Sequence, residues 1–220
     1  PWRMTKSKMN IDWPKLSDED IEHKAATFRD EALTSLNISQ GTSVPVEQIA
    51  ELYLGYQFDF VEDNGALDSD VIGGIDFDSN TIIINAAIEG HIGRYSFTIA
   101  HEVAHHVLHR ELFLEGRLEK SIMCRGGSVR PIEEVQADRF AEALIMPKDI
   151  VIKYFKAIKS RKPYSKRARL ALSARVIKSS GLDNVSVSAM EMRLMHLGLI
   201  PAISERMNPV LKFFVNLMRR

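Results

Sequence analysis

The stretch YSFTIAHEVAHHVLHREL, residues 95–112, has the apolar spacing of one amphipathic helix and contains the pattern H-E-x-x-H. His101 and His105 are four residues apart, so on a helix they lie on one face, one turn from each other. Two imidazoles placed in this way can bind one Zn²⁺ through neutral nitrogens. Glu102 follows the first histidine and can reach a metal-bound water as a general base. The stretch therefore predicts a zinc-binding helix from about Gly93 to Leu112, of the kind found in hydrolases and most often in peptidases.

The same four-residue pattern also occurs by chance on solvated helical surfaces, where histidine and glutamate simply face water. A catalytic zinc site needs three protein ligands and one open position. The choice between a metal site and a solvated surface therefore depends on whether the rest of the sequence supplies a third ligand.

The composition indicates a globular protein of one domain, or of one domain with a small addition. The chain has 220 residues, 45% of them hydrophobic, and its single cysteine, Cys124, excludes an internal disulfide framework. We find no apolar run of about 18 residues and no apolar signal segment, which predicts a cytoplasmic protein without a membrane partner. Residues 1–16 are expected to be disordered or introduced by cloning.

The charges are unevenly distributed along the chain. Residues 1–146 contain 13 basic and 25 acidic residues, and residues 147–220 contain 16 basic and 4 acidic residues. The net charges are therefore −12 and +12. The basic half is suited to nucleic acid or an acidic partner, and equally to the acidic half of its own chain.

The sequence before the metal helix predicts two helices and three strands. The helices are Ser17–Leu36, which opens with a serine cap, and Pro45–Gly55, which has proline in its first turn and glycine after its end. The strands are Tyr56–Val61 and the pair Val71–Phe77 and Thr81–Asn85, which a turn-like Asp-Ser-Asn separates into a hairpin.

The sequence after the metal helix predicts a long polar loop, four more helices and a closing amphipathic helix over residues 201–220. The loop covers Glu115–Arg130, and its length suggests function or mobility. The predicted helices are Pro131–Met146, Ile150–Lys159, Ala168–Ser179 and Val185–Leu197, the last two with helix-turn-helix spacing.

We therefore predict an α+β fold. A small mixed or antiparallel sheet packs on helices that include a zincin-like metal helix, and a helix-turn-helix-like segment follows. The predicted domains are a metallopeptidase domain at 17–147 and a basic helical domain at 148–220.

The third ligand is expected on the helix after Pro131. Glu134 and Asp138 are four residues apart and share one face, so Glu134 can complete a site with His101 and His105. Asp138 can accept the outer N–H of a ligand histidine and so fix its tautomer. Acidic residues at a helix start also complement the helix dipole, which explains Glu134 adequately but does not explain Asp138 among apolar neighbours.

Four segments together resemble the ImmA/IrrE family of metallopeptidases over Pro45–Pro147. They are PVEQIAELYLG, the strand pair ending in TIIIN, RYSFTIAHEVAHHVLH, and E-x-x-A-D-x-F-A-x-x-L-x-M-P from Glu134 onward. The resemblance implies the zinc ligands and catalytic base already considered: His101, His105 and Glu134 as ligands, with Glu102 as base. Glu133 is adjacent, but Glu134 fits the E-x-x-A register.

The family often has asparagine where this chain has Asp138. An aspartate at that spacing resembles thermolysin-like enzymes, in which it supports a ligand histidine.

The resemblance also implies an intracellular protease of a mobile element or stress-response locus. The best understood relatives cleave a helix-turn-helix transcriptional repressor encoded nearby and so derepress its genes. An alternative is a regulatory module with a structural zinc site, which docks a repressor or DNA without proteolysis. Direct DNA contact by the last predicted helix is less favoured, because Arg193 lies among Met190, Leu194 and other apolar residues.

Two further questions stay open in the sequence. Cys124 lies in the predicted loop. One interpretation is that its thiolate occupies the open zinc position as a latch. The other is that it is an ordinary free thiol. An oxyanion-stabilising donor is also needed, and Tyr95, Arg94 and His106 are the neighbouring candidates. His109 is interpreted as lying outside the ligand set, because one straight helix cannot place three ligands tetrahedrally around one ion.

Overall fold

The computed structural model describes two compact units. The first comprises residues up to Pro147 together with Leu182–Ser186, and the second comprises Lys148–Gly181 and the residues from Val187 onward. Backbone and side chains are described for residues 13, 15–39, 41, 43–62, 72–115, 131–158 and 165–201, and the backbone alone for 122–124. Within these residues, we find no helix both long and apolar enough to cross a membrane.

The first helix, α1, spans Asp18–Ser35 and begins with a capping box. The Ser17 hydroxyl accepts a hydrogen bond from the Asp20 N–H at 3.1 Å, and the Ser17 N–H donates to the Asp20 carboxylate at 3.0 Å. This exchange satisfies backbone donors that have no partner inside the helix. The predicted helix over Ser17–Leu36 is confirmed, and its buried apolar residues, which include Phe28, face the core.

The predicted helix between Pro45 and Gly55 is present but is mostly not an α-helix. One α-helical turn, α2 (Val46–Gln48), continues as a π-helix over Ile49–Tyr53. The Leu54 N–H donates to the carbonyl of Ile49, five residues earlier, at 3.0 Å. Apolar spacing over such a short segment does not distinguish this wider turn from an α-helical one.

A mixed four-stranded sheet lies beside the helices in the order β1-β3-β2-β4. Its first three strands are β1 (Gln57–Val61), β2 (Gly73–Asp76) and β3 (Thr81–Asn85). β3 is parallel to β1 and antiparallel to β2, with Ile75 opposite Ile82. The predicted hairpin is confirmed, and both of these isoleucines are fully buried.

The fourth strand corrects the sequence analysis. Glu115–Arg130 was predicted to be a loop, but Ile122–Cys124 forms β4 and pairs antiparallel with β2. The pairing uses backbone groups over only three residues of a polar, glycine-containing segment. Such a short strand has too little side-chain alternation to be recognised from its sequence.

Two long helices form the centre of the first unit. α3 spans Ile92–Leu114, and α4 spans Ile132–Ile145, beginning after Pro131 and ending before Pro147. Both predicted helices are confirmed. α4 packs against α3 on one side and α1 on the other, and β2 packs against α3. Side chains that point from α3 toward α4 are therefore removed from water.

The second unit contains three helices, α5 (Lys148–Ala157), α6 (Lys166–Ser180) and α7 (Val187–His196). The three helices predicted between Ile150 and Leu197 are thus confirmed, and the closing helix predicted over residues 201–220 lies outside the described residues after position 201. Arg169 of α6 and Glu191 of α7 form a buried ion pair at 2.6 Å. Arg193 is only 2% exposed. This burial keeps the one arginine of α7 away from any phosphate backbone on the surface.

The chain between α6 and α7 belongs to the first unit. Asp183 exchanges hydrogen bonds with Ser43, and the Asn184 amide donates to the Val44 carbonyl at 2.9 Å. Gly93, in the first turn of α3, lies directly against this segment. A Cβ at Gly93 would be 2.5 Å from the Ser186 nitrogen and 2.9 Å from its Cα.

We expect Gly93→Ala to lower the free energy of unfolding by about 1–3 kcal/mol, because the added methyl group meets backbone atoms that must shift. Gly90→Ala is the matched control, since a Cβ there has no neighbour within 4 Å. Urea unfolding of both variants measures the difference. Equal stability of the two variants would show that the backbone approach at Gly93 is not a constraint.

Candidate metal centre

The two histidines of the H-E-x-x-H pattern lie on one face of α3, as predicted. His101 and His105 are both fully buried. Their Nε2 atoms are 3.1 Å apart and their ring centroids 4.8 Å apart. Two imidazole lone pairs facing each other at this distance repel, unless a proton or a cation lies between them. The pair is therefore suited to binding a positive ion.

Glu134 of α4 approaches the same point. Its Oε2 lies 3.1 Å from the His101 Nε2, and its Oε1 lies 3.4 Å from the His105 Nε2. The three residues offer ligand atoms that all lie within 4.8 Å of one another. Glu133, the alternative considered from the sequence, is outside this group among the described residues. The structure thus brings together the three side chains that the sequence singled out.

The separations between these atoms fit a tetrahedral metal ion. Bond lengths near 2.0–2.1 Å at tetrahedral angles place neighbouring ligand atoms about 3.3 Å apart. The two imidazole nitrogens are 3.1 Å apart, and each lies 3.1 or 3.4 Å from one of the two Glu134 oxygens, which is close to this value. Two imidazole nitrogens and one carboxylate are also a donor set that catalytic zinc sites use, with the fourth position open.

Asp138 lies behind His101. Its Oδ1 is 3.0 Å from the His101 Nδ1, and a carboxylate only accepts, so Nδ1 of His101 carries the proton. The Nε2 of a neutral His101 is then a lone pair directed at Glu134 and His105. This is the contact that the spacing of Glu134 and Asp138 suggested.

A second set of contacts lies behind His105, and its α4 member was missed in the sequence analysis. The His105 Nδ1 is 2.9 Å from the His109 Nδ1, and the His109 Nε2 is 3.3 Å from the Gln136 Oε1. Gln136 gave no signal in the sequence, because it lies two residues from Glu134 and from Asp138. Two residues turn a helix by about 200°, which predicts a different face.

Glu102 is fully buried between α3 and β2. A Cβ at Gly73 of β2 would lie 3.3 Å from the Glu102 Oε1 and 2.5 Å from the Thr98 Cγ2. Glycine at position 73 thus permits the strand to approach the carboxylate closely.

The pKa values of the clustered groups are shifted in different directions. Burial lowers the pKa of His101, but its hydrogen bonds to Asp138 and Glu134 outweigh burial and raise it to about 9. Burial lowers the pKa of His105. Burial raises the pKa of Glu134, but the neighbouring imidazoles of His101 and His105 leave it well below its ordinary value. Near neutral pH, Glu134 is therefore ionised and His105 is neutral, whereas His101 is protonated on both ring nitrogens.

The other residues considered from the sequence have different surroundings. The Tyr95 hydroxyl donates to the Glu47 carboxylate at 2.9 Å, and the His106 Nδ1 lies 2.9 Å from the Tyr56 hydroxyl. Arg94 is exposed. The Cys124 side chain lies outside the described residues, so the latch remains a prediction.

Glu134→Ala is expected to reduce the affinity for Zn²⁺, used as the probe ion, by more than the roughly 10–100-fold typical of an outer partner. Glu133→Ala is the matched control on the same helical turn and should retain the wild-type affinity. Competition with a chromophoric chelator measures both. Equal losses in the two variants would remove Glu134 from the ligand set.

The affinity for Zn²⁺ is expected to rise with pH by about tenfold per unit up to pH 9 and to level off above it. The metal must displace the proton that His101 holds below its raised pKa, whereas His105 and Glu134 have already lost theirs. Asp138→Asn removes the strongest interaction that raises this pKa. The zinc affinity of this variant should therefore rise less steeply with pH between pH 7.5 and 9. An affinity that does not change with pH, after correction for the chelator, would contradict this assignment.

A comparison with protein families identifies the chain. The model of the Peptidase_M78 family, described as the IrrE N-terminal-like domain, matches residues 58–177, which are more than half of the chain. None of the curated proteins matches it. The matched residues include all of α3 and α4, and continue through α5 into α6. The resemblance to the ImmA/IrrE metallopeptidases is thereby confirmed, and the chain belongs to the Peptidase_M78 family.

Proposed function

We propose that this member of the family is a zinc-dependent endopeptidase that cleaves one specific protein inside the cell. Its family is one of peptidases, which implies a protein substrate. The observation that supports a metal-dependent reaction is the convergence of His101, His105 and Glu134 at distances that suit a tetrahedral ion. The proposed substrate is a helix-turn-helix transcriptional repressor, whose cleavage derepresses its genes.

In this proposal, His101, His105 and Glu134 hold the metal. Zn²⁺, when bound, polarises the scissile carbonyl and lowers the pKa of a coordinated water toward about 7. Asp138 keeps the proton of His101 on Nδ1, so that Nε2 is available as a ligand. The rigid packing of α4 on α3 keeps these atoms in place before the metal binds.

Glu102 is the proposed general base and acid. Its carboxylate accepts a proton from the attacking water and later donates that proton to the nitrogen of the leaving amine. The close approach of Gly73 shields one side of this carboxylate from bulk water.

The charge of the second unit supports the proposal that the protein acts on one specific partner. Its described surface has exposed basic side chains on α5 and α6, namely Lys148, Lys153, Lys156, Lys166, Arg167, Arg175 and Lys178. Among the described acidic residues of this unit, Asp149 is exposed and Glu191 is buried. We propose that this exposed basic surface binds an acidic surface of the substrate.

The decisive experiment incubates the zinc-loaded protein with the helix-turn-helix protein encoded next to its gene. We expect a discrete cut, and Glu102→Gln should slow it by about 10²–10⁴-fold without loss of zinc. Glu111→Gln, an exposed glutamate of the same helix, is the matched control and should cut at the wild-type rate.

A denatured protein offered in parallel separates the two parts of the proposal. Cleavage of the denatured protein without cleavage of the repressor would contradict the proposed substrate but not the proposed peptidase activity. A Glu102→Gln protein that binds zinc and keeps the full rate would overturn the mechanism.

The basic surface also supports a second candidate function, a module that docks a repressor or DNA and keeps its metal for stability. Removal of the metal by a chelator distinguishes the two functions. An enzyme loses cleavage while its fold remains, whereas a module with structural zinc loses its fold.

A further inference from the structure

His109 is a fully buried histidine that the proposed reaction does not use. It lies four residues after His105 on α3, and its Nδ1 is 2.9 Å from the His105 Nδ1. Two nitrogens at this distance share one proton, which must be covalently bound to one of them. The location of that proton decides which nitrogen of His105 is free to bind a metal.

Gln136 determines the location of that proton. Its Oε1 is 3.3 Å from the His109 Nε2, and an amide oxygen only accepts hydrogen bonds. The Nε2 of His109 therefore carries a proton, and the Nδ1 of a neutral His109 is a lone pair. The shared proton then lies on the Nδ1 of His105, which leaves the His105 Nε2 as a lone pair toward Glu134.

This arrangement differs from the one behind His101, where a carboxylate is the outer partner. Glu102, Glu134 and Asp138 already place three carboxylates around the centre. A fourth buried carboxylate would add to a negative charge that already exceeds the two positive charges of a divalent ion. A neutral imidazole and a neutral amide orient His105 without adding charge.

Trp13 packs against the same imidazole from outside α3. Its ring is edge-on to His109, with centroids 5.1 Å apart and an interplanar angle of 79°. This contact restricts rotation of the His109 ring about its χ2 bond, and so keeps Nδ1 directed at His105.

We propose that Gln136 and His109 are positioning residues that fix the tautomer of His105 and thereby set the metal affinity of the centre. The proposal rests on the proposed metal site. It adds to that site a line of hydrogen bonds from Gln136 through His109 to His105, and it assigns a role to two residues outside the ligand set.

The first test measures Zn²⁺ affinity of the full chain by chelator competition. His109→Phe keeps a ring but removes both nitrogens, and Gln136→Leu replaces the amide with an apolar side chain that lacks the acceptor oxygen. Both are expected to lose about 10–100-fold in affinity. Gln136→Glu retains an acceptor oxygen and should lose clearly less than Gln136→Leu. His106→Phe, the neighbouring histidine whose contact is with Tyr56, is the control and should stay within about twofold of wild type.

The second test locates the protons directly. A merely structural role of His109 and Gln136 predicts no particular location for them. Nitrogen-15 correlation spectra of the imidazoles in the zinc-loaded wild-type protein should show a proton on Nδ1 of His105 and on Nε2 of His109. A proton on Nδ1 of His109 would overturn the proposal, even if His109→Phe fails to fold.

The outcomes separate the two proposals. A wild-type protein that binds zinc while His109→Phe and Gln136→Leu, both folded, bind it equally well would overturn the positioning role alone. A wild-type protein that binds no zinc would overturn the proposed function and the positioning role together.

Discussion

Burial of polar groups between α3 and α4 is the constraint on which the first unit depends. Helices pack closely when apolar side chains fill the space between them, yet here His101, His105 and His109 are fully buried in that space. An unpaired buried charge costs several kcal/mol, so each group needs a partner of complementary chemistry. α4 provides these partners at alternate positions, with Glu134 and Asp138 on His101 and Gln136 on His109. The need to pair these buried groups therefore governs both how the two helices pack and which residue types form the site.

The elements with strong local signals were predictable from the sequence. α1 has a capping box, α4 lies between two prolines, and the β2–β3 hairpin has a turn at Asp78-Ser-Asn80. The cluster of His101, His105 and Glu134 was predictable too. Helical periodicity places the two histidines on one face, and the family register selects the glutamate.

The features that the sequence did not reveal depend on distant parts of the chain. β4 exists because the backbone of Ile122–Cys124 meets β2, and three residues contain no pattern that indicates such a meeting. The contact of Gln136 with His109 depends on how α4 lies along α3, which helical periodicity alone does not specify. The π-helix at Ile49–Tyr53 was missed for a local reason, because the segment is too short for apolar spacing to distinguish it from an α-helix.

Because Leu182–Ser186 belongs to the first unit, that unit consists of two separate segments of the sequence. A fragment that ends at Pro147 would therefore lack the backbone that covers Gly93 and the groups that bind Ser43 and Val44. The start of the helix that bears His101 and His105 would then lose its neighbours. An insertion or deletion between α6 and α7, more than 70 residues beyond His105, would thus act on the metal centre through its supporting framework. For this chain, the smallest piece that contains the complete first unit extends at least to Ser186.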